Sequence, residues 1–280
     1  MLGYNVRPWF WLSLVTAICI LFLEFAIGWI GVVIVAFHVF PILAIIAFFA
    51  YPIFVIFVVA IFLFSMDFIG RFHVAKIVWI EDPYEFNGLF ARALALADKI
   101  GASFEKLGVA PYNVLNAFTY GVFKPKIVVY KRILETFDID EQNFVIAHEL
   151  GHIKHKWIWL LYSFANASIF LPLLMPYPFV IILYFVFIPA RFALLWFSRE
   201  CEFLADREAV LATGNLYAAI RALAKLGKIE NLQLDIKKLR EEVVDKDLYE
   251  KAINDFVASL RTHPLIKRRI KELLKVYGYP

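Results

Sequence analysis

Ala147-His148-Glu149-Leu150-Gly151-His152 places two imidazoles four residues apart, with a carboxylate beside the first. On an α-helix, residues four apart lie one above the other, so His148 and His152 can grip one zinc ion from a single face. Glu149, next to them, reaches a water held at that metal and can take its proton, which is the chemistry of a metal-dependent hydrolase.

A hydrolytic zinc centre generally takes three protein ligands and keeps one position open. The metzincin pattern would need a histidine at position 158, which is Ile158, so that class is excluded. A better source is Glu200-Cys201-Glu202-Phe203-Leu204-Ala205-Asp206. Glu202 and Asp206 share a helix face, so Glu202 can ligate while Asp206 accepts the N–H of a ligand histidine and fixes its tautomer. Glu200 competes for the ligand role. It sits about 200° around the helix from Glu202, so the two cannot both face one metal.

The elements that must position these groups follow from the flanking sequence. Asp138, with Glu141 three residues on, forms an acidic capping box and starts a helix whose later turns carry His148 and His152. Upstream, the spacing of Leu89, Ala93, Leu96, Ala97, Ile100 and Phe104 predicts a helix over Glu85 to Lys106. Two β-rich runs, Val114 to Tyr120 and Lys126 to Tyr130, meet through Gly121 and Pro125 and read as a hairpin. An exposed edge of that hairpin at Asn116, Ala117 and Phe118 could pair with an extended peptide of almost any sequence. His155 reads as a membrane-interface residue rather than a ligand.

The rest of the chain is strongly apolar: 62% of residues are hydrophobic and 29 of 280 are Phe, well beyond a soluble domain. Trp9 to Phe37 and Ile42 to Phe64 are each long enough to cross a bilayer, with a turn near Pro41. The first run is too long for a signal-peptide core and reads as a retained anchor. A second apolar block, Trp157 to Met175 and Phe179 to Phe197, reads as a further membrane hairpin. Four segments result: a transmembrane hairpin at 1–70, a first part of a catalytic domain with the zinc helix at 71–156, a second transmembrane hairpin at 157–197, and the second part of the catalytic domain at 198–280. Lys and Arg flank both hairpins on their outer sides and are missing from their turns, which puts the polar parts on the cytoplasmic side. Glu24 falls in the middle of a span, where an ionisable group is costly and marks a functional candidate. The net charge of +4, without a basic stripe, argues against a nucleic-acid partner, and Cys19 and Cys201 suggest no disulfide framework.

Taken together, these motifs resemble the HtpX-like membrane-integrated zinc metalloproteases, relatives of the CaaX prenyl-protein proteases. The likeness rests on His148-Glu149-Leu150-Gly151-His152, on Ser198-Arg199-Glu200-Cys201-Glu202-Phe203-Leu204-Ala205-Asp206, on Asn116-Ala117-Phe118-Thr119-Tyr120-Gly121, and on Thr262-His263-Pro264 with Arg269-Ile270. Phe203, Tyr120 and Leu265 depart from the usual pattern, at positions where a Tyr, a small residue and a second Pro are common.

The resemblance implies a mainly α membrane protein: a gluzincin-type α+β metalloprotease domain with a small β-hairpin or sheet, joined to four transmembrane helices. It assigns the third ligand to Glu202, implies one zinc ion per chain, and marks His263 and Arg269 as donors to the oxyanion formed during peptide hydrolysis. It also implies a multi-pass protein of a prokaryotic inner membrane that cleaves peptide or protein substrates, among them misfolded membrane proteins in quality control. A CaaX-type prenyl-protein protease would carry more spans than four. A zinc transporter or a non-catalytic zinc-binding scaffold would not need Glu149, and a transport site belongs near mid-bilayer.

Overall fold

The apolar N-terminal stretch folds as two long helices separated only by Phe40, α1 (Pro8–Val39) and α2 (Pro41–His73). They belong to a computed structural model that describes residues 8–73, 76–155, 179–227 and 266–277. Pro41 opens α2 at the first helical position, where its missing N–H costs nothing. The chain forms two compact units, Met1–Phe68 with Trp157–Glu200 and Ile69–Lys156 with Cys201–Pro280.

In the first unit, α1 buries Phe10, Leu14, Ala17 and Leu21 at helical spacing, and α2 buries Tyr51, Val55 and Val59. The Trp29 indole N–H donates to the Phe48 carbonyl at 3.0 Å and ties the two helices together. On their outer faces, Phe22, Ile42, Phe49 and Ile53 stand 65–70% exposed. So much contiguous apolar surface marks a face that a membrane or a partner covers. Trp9–Val39 and Pro41–Ile61 are each long and apolar enough to cross a membrane. Glu24 is 1% exposed on α1 and acts electrostatically on Tyr51 and Arg191 of the same unit.

Of the second expected hairpin, 157–175 lies outside the described residues. The stretch 179–197 falls in α6 (Phe179–Thr213), which continues without a break into the acidic cluster.

The second unit is built on a mixed four-stranded sheet. Its strands are β1 (Val78–Trp79), β2 (Lys106–Ala110), β3 (Ala117–Tyr120) and β4 (Lys126–Tyr130), in the order β1-β2-β4-β3. β3 and β4 form the expected antiparallel hairpin, with Thr119 opposite Ile127. β2 runs parallel to β4, a pairing the sequence did not announce. The helix expected over Glu85 to Lys106 is shorter: α3 spans Glu85–Ile100. Gly101 takes the left-handed conformation at φ 76°, and the N–H groups of Gly101 and Ala102 close onto the Ala97 carbonyl, which ends the helix. Lys106 therefore begins β2 instead.

Behind the sheet lies α5 (Ile139–Lys154), followed by α7 (Leu216–Leu226) and α8 (Ile266–Val276), with the short α4 (Lys131–Thr136) leading into α5. Leu89, Leu107, Ile127, Phe144, Ile146, Leu150, Ile220 and Ile270 close one apolar core between these helices and one sheet face. Phe118, Tyr120 and Val128 pack on the opposite face.

Candidate active site

The helix that carries the two histidines is fixed at its start by polar contacts and along its length by burial. The Asp138 side chain accepts the N–H of Glu141, and the Glu141 carboxylate accepts the N–H of Asp138, both at 2.9 Å. This reciprocal box satisfies two of the helix's orphan donors. Glu141 is then clamped by α7, with Lys225 Nζ at 2.6 Å and Arg221 Nε at 3.3 Å. From α3, Arg92 donates to Asn143 Oδ1 at 2.6 Å and to Gln142 Oε1 at 2.9 Å. Two turns further on, His148 and His152 emerge from a helix already held on both sides.

His148 Nε2 and His152 Nε2 face each other across 3.2 Å. Glu202 of α6 places one carboxylate oxygen 3.5 Å from His148 Nε2 and the other 3.5 Å from His152 Nε2. A tetrahedral zinc with bonds of about 2.0–2.2 Å requires ligand atoms roughly 3.3–3.5 Å apart. Two imidazoles and a carboxylate at these separations therefore fit zinc in both chemistry and size. Glu200, the competing carboxylate on the same helix, is not part of this group.

Glu202 can reach the histidines because α5 and α6 touch at small residues. A Cβ added to Gly151 would lie 3.0 Å from Ala205 Cα and 3.3 Å from Ala205 Cβ. A methyl there would require the neighbour to give by a few tenths of an ångström, and the glycine of the motif lets the two helix backbones approach.

Behind the ligands, His148 Nδ1 lies 2.9 Å from Asp206 Oδ1, which accepts its N–H and leaves Nε2 directed at the metal position. Asp206 is fully buried and is held in turn by Arg269 of α8, with Nε at 2.7 Å and Nη2 at 2.5 Å. Arg269 Nη1 is also 3.3 Å from Glu202. One buried guanidinium thus braces both Glu202 and Asp206. Burial opposes the charged form of Asp206, but the Arg269 charge and hydrogen bonds prevail and hold its carboxyl below the usual range. For His148, burial and Arg269 favour the neutral ring, yet the carboxylates of Asp206 and Glu202 outweigh them and lift its pKa to about 9.

Residues 83–276 match Peptidase family M48. The chain belongs to that family. It is a protease whose two apolar helices mark it as a membrane protein. Among relatives, it is 28% identical to a "Protease HtpX homolog" of Methanocaldococcus jannaschii over 70% of this chain and 78% of that protein. It is 27% identical to one of Thermococcus kodakarensis over 77% of this chain and 85% of that protein. The crystal structure of S. mikatae Ste24p shares the fold, with a TM-score of 0.52 and 20% identity, covering 94% of this chain. The chain spans 66% of that structure's length.

Within this M48 site, the sequence-derived residues are distributed unevenly. His148, Glu149, His152, Glu202, Asp206 and Arg269 come together in one cluster, all buried except the half-buried His152. Arg269, expected to serve an oxyanion, directs its donors at Asp206 and Glu202. His263 lies outside the described residues. Ala117 and Phe118 lie on β3, and Asn116 immediately precedes it, its carbonyl accepting the Tyr130 N–H at 3.0 Å.

Contacts at Thr119 and at Glu208 also escaped sequence reading. Thr119 Oγ1 donates to Glu149 Oε2 at 2.9 Å. Buried Glu208 receives Lys154 Nζ and His155 Nε2, each at 3.0 Å, so His155 is occupied at the end of α5. Period-two alternation in β3 could have placed Thr119 beside Ala117 on one face, but not which face meets α5.

Proposed function

We propose that this chain is a zinc-dependent endopeptidase of the membrane, cleaving peptide bonds in unfolded or damaged membrane proteins. The observation that carries the reading is the triangle of His148, His152 and Glu202 at 3.2 to 3.5 Å, with Glu149 beside it on the same helix. Zinc bound there supplies Lewis acidity, which polarises a peptide carbonyl and acidifies water. Glu149 takes the proton of the attacking water and returns it to the departing amine. Asp206 keeps the His148 tautomer, and Arg269 holds Asp206 and Glu202 in place rather than meeting an oxyanion. Lys and Arg outside the apolar runs support a cytoplasmic catalytic unit of an inner membrane, with four spans. The HtpX-like resemblance supports the quality-control role.

The test uses the full chain purified in detergent, loaded with zinc and freed of unbound metal before analysis. Glu149→Gln should keep the metal and lose cleavage of casein, and lack of stoichiometric zinc in the wild type would sink the assignment. Cleavage of a farnesylated peptide in preference to casein would replace it with a prenyl-protein protease.

A further inference from the structure

The Thr119 hydroxyl and the Glu149 carboxylate are both buried, 9% and 7% exposed, and lie 2.9 Å apart. An ionised carboxylate only accepts, so the hydroxyl is the donor and engages Oε2. A hydrogen bond to a charged group away from water is among the stronger neutral-to-ion contacts a side chain can make. It fixes one oxygen of Glu149 and leaves the other to exchange a proton.

The strand that carries Thr119 gives this contact further meaning. Tyr130 N–H donates to the Asn116 carbonyl, which makes 116 and 130 a hydrogen-bonded pair of the antiparallel ladder. Alternation then turns the backbone groups of Phe118 and Tyr120 toward β4 and those of Ala117 and Thr119 toward the outer edge. Among the described residues, β3 is the last strand of the sheet on that side. The edge suited to an extended peptide is thus formed by Ala117 and Thr119, and Thr119 is also the residue bound to Glu149.

Building on the peptidase reading above, we propose that Thr119 is a positioning residue that aligns the Glu149 base and ties that alignment to the strand edge where substrate lies. It exchanges no proton itself: the proton passes from water to Glu149 and on to the amine.

The test compares zinc-loaded full-length wild type with Thr119→Val, Thr119→Ala and Thr119→Ser in detergent, by metal analysis and steady-state cleavage of a fluorogenic peptide. Valine keeps the β-branched shape and removes only the hydroxyl. The Val and Ala variants should retain one zinc per chain and the wild-type KM while kcat falls about tenfold. The Ser variant should recover most of that loss. Wild-type kcat in Thr119→Val would overturn the role, as would a Ser variant no better than Val. Loss of zinc, a raised KM at unchanged kcat, or failure of both Val and Ala to fold would make Thr119 merely structural and overturn it too. Glu149→Gln run alongside separates the two ideas. If the wild type cleaves no peptide, the peptidase reading itself fails; if the wild type cleaves and Glu149→Gln is inactive while Thr119→Val is unaffected, only the Thr119 role fails.

Discussion

Replacing Gly151 by Ala sets two opposite expectations against each other. Helix propensity favours Ala by about 0.8–1 kcal/mol, so α5 taken alone should become more stable. The contact with α6 argues the other way, because the new methyl would lie 3.0 Å from Ala205 Cα and 3.3 Å from Ala205 Cβ. Ordinary carbon contacts are about 3.5–4.0 Å, so the helices must separate by roughly half an ångström or more at their crossing. Glu202 stands one turn before Ala205 on α6 and moves with it. Metal-ligand distances tolerate only about 0.2 Å, less than half of that displacement. Zinc affinity should therefore weaken about 10- to 100-fold, the range typical when the support of a ligand is disturbed. The metal-free melting temperature should change little, since the propensity gain offsets part of an overpacking cost of about 1–3 kcal/mol. Chelator competition gives the zinc Kd, and a thermal melt of the metal-free protein gives the stability. An unchanged Kd together with a raised melting temperature would show that the helix contact does not set the ligand geometry.

Asp206→Asn removes the charge that Arg269 and His148 share and leaves a buried guanidinium short of a partner. A stability loss of about 3 kcal/mol by denaturant titration is expected, and a loss below 1 kcal/mol would refute the brace. His148 also predicts a pH dependence in the metal-free protein. Its folded pKa of about 9 stands above the unfolded value of about 6.5, so its contribution is fully present below pH 6.5 and disappears as pH rises through 9. Over the same window zinc must displace that proton, and its affinity should climb about tenfold per pH unit, measurable by competition titrations at several pH values.

Local sequence carried much of this fold and site. The Asp138–Glu141 box, the four-residue spacing of the histidines and that of Glu202 and Asp206 are properties of single helices, readable without tertiary knowledge. The hairpin was legible because β-rich runs flank Gly121 and Pro125. β2 was not, since Lys106–Ala110 is short, contains a glycine and gains its order from a parallel pairing with β4. Its neighbour's end was readable in principle from Gly101, yet apolar spacing continuing to Phe104 masked it. Phe104 instead packs its ring against Phe90 across the turn, with centroids 5.8 Å apart. The duty of Arg269 was hidden for another reason: a basic run on a helix gives no sign of which arginine turns inward and which carboxylate it meets. Thr119 is the same kind of case, because its hydroxyl gains a role only when a distant helix is laid across the strand.

The brace formed by Arg269 is also made later than the acidic side chains it holds. Chains are made from the N-terminus at roughly 5–20 residues per second, so Arg269 follows Glu202 out of the ribosome by several seconds. During that interval Asp206 lacks the cation that holds its carboxylate, and nothing from α8 supports Glu202. Until residue 269 is made, therefore, Asp206 and Glu202 stand without the guanidinium that joins them in the folded chain.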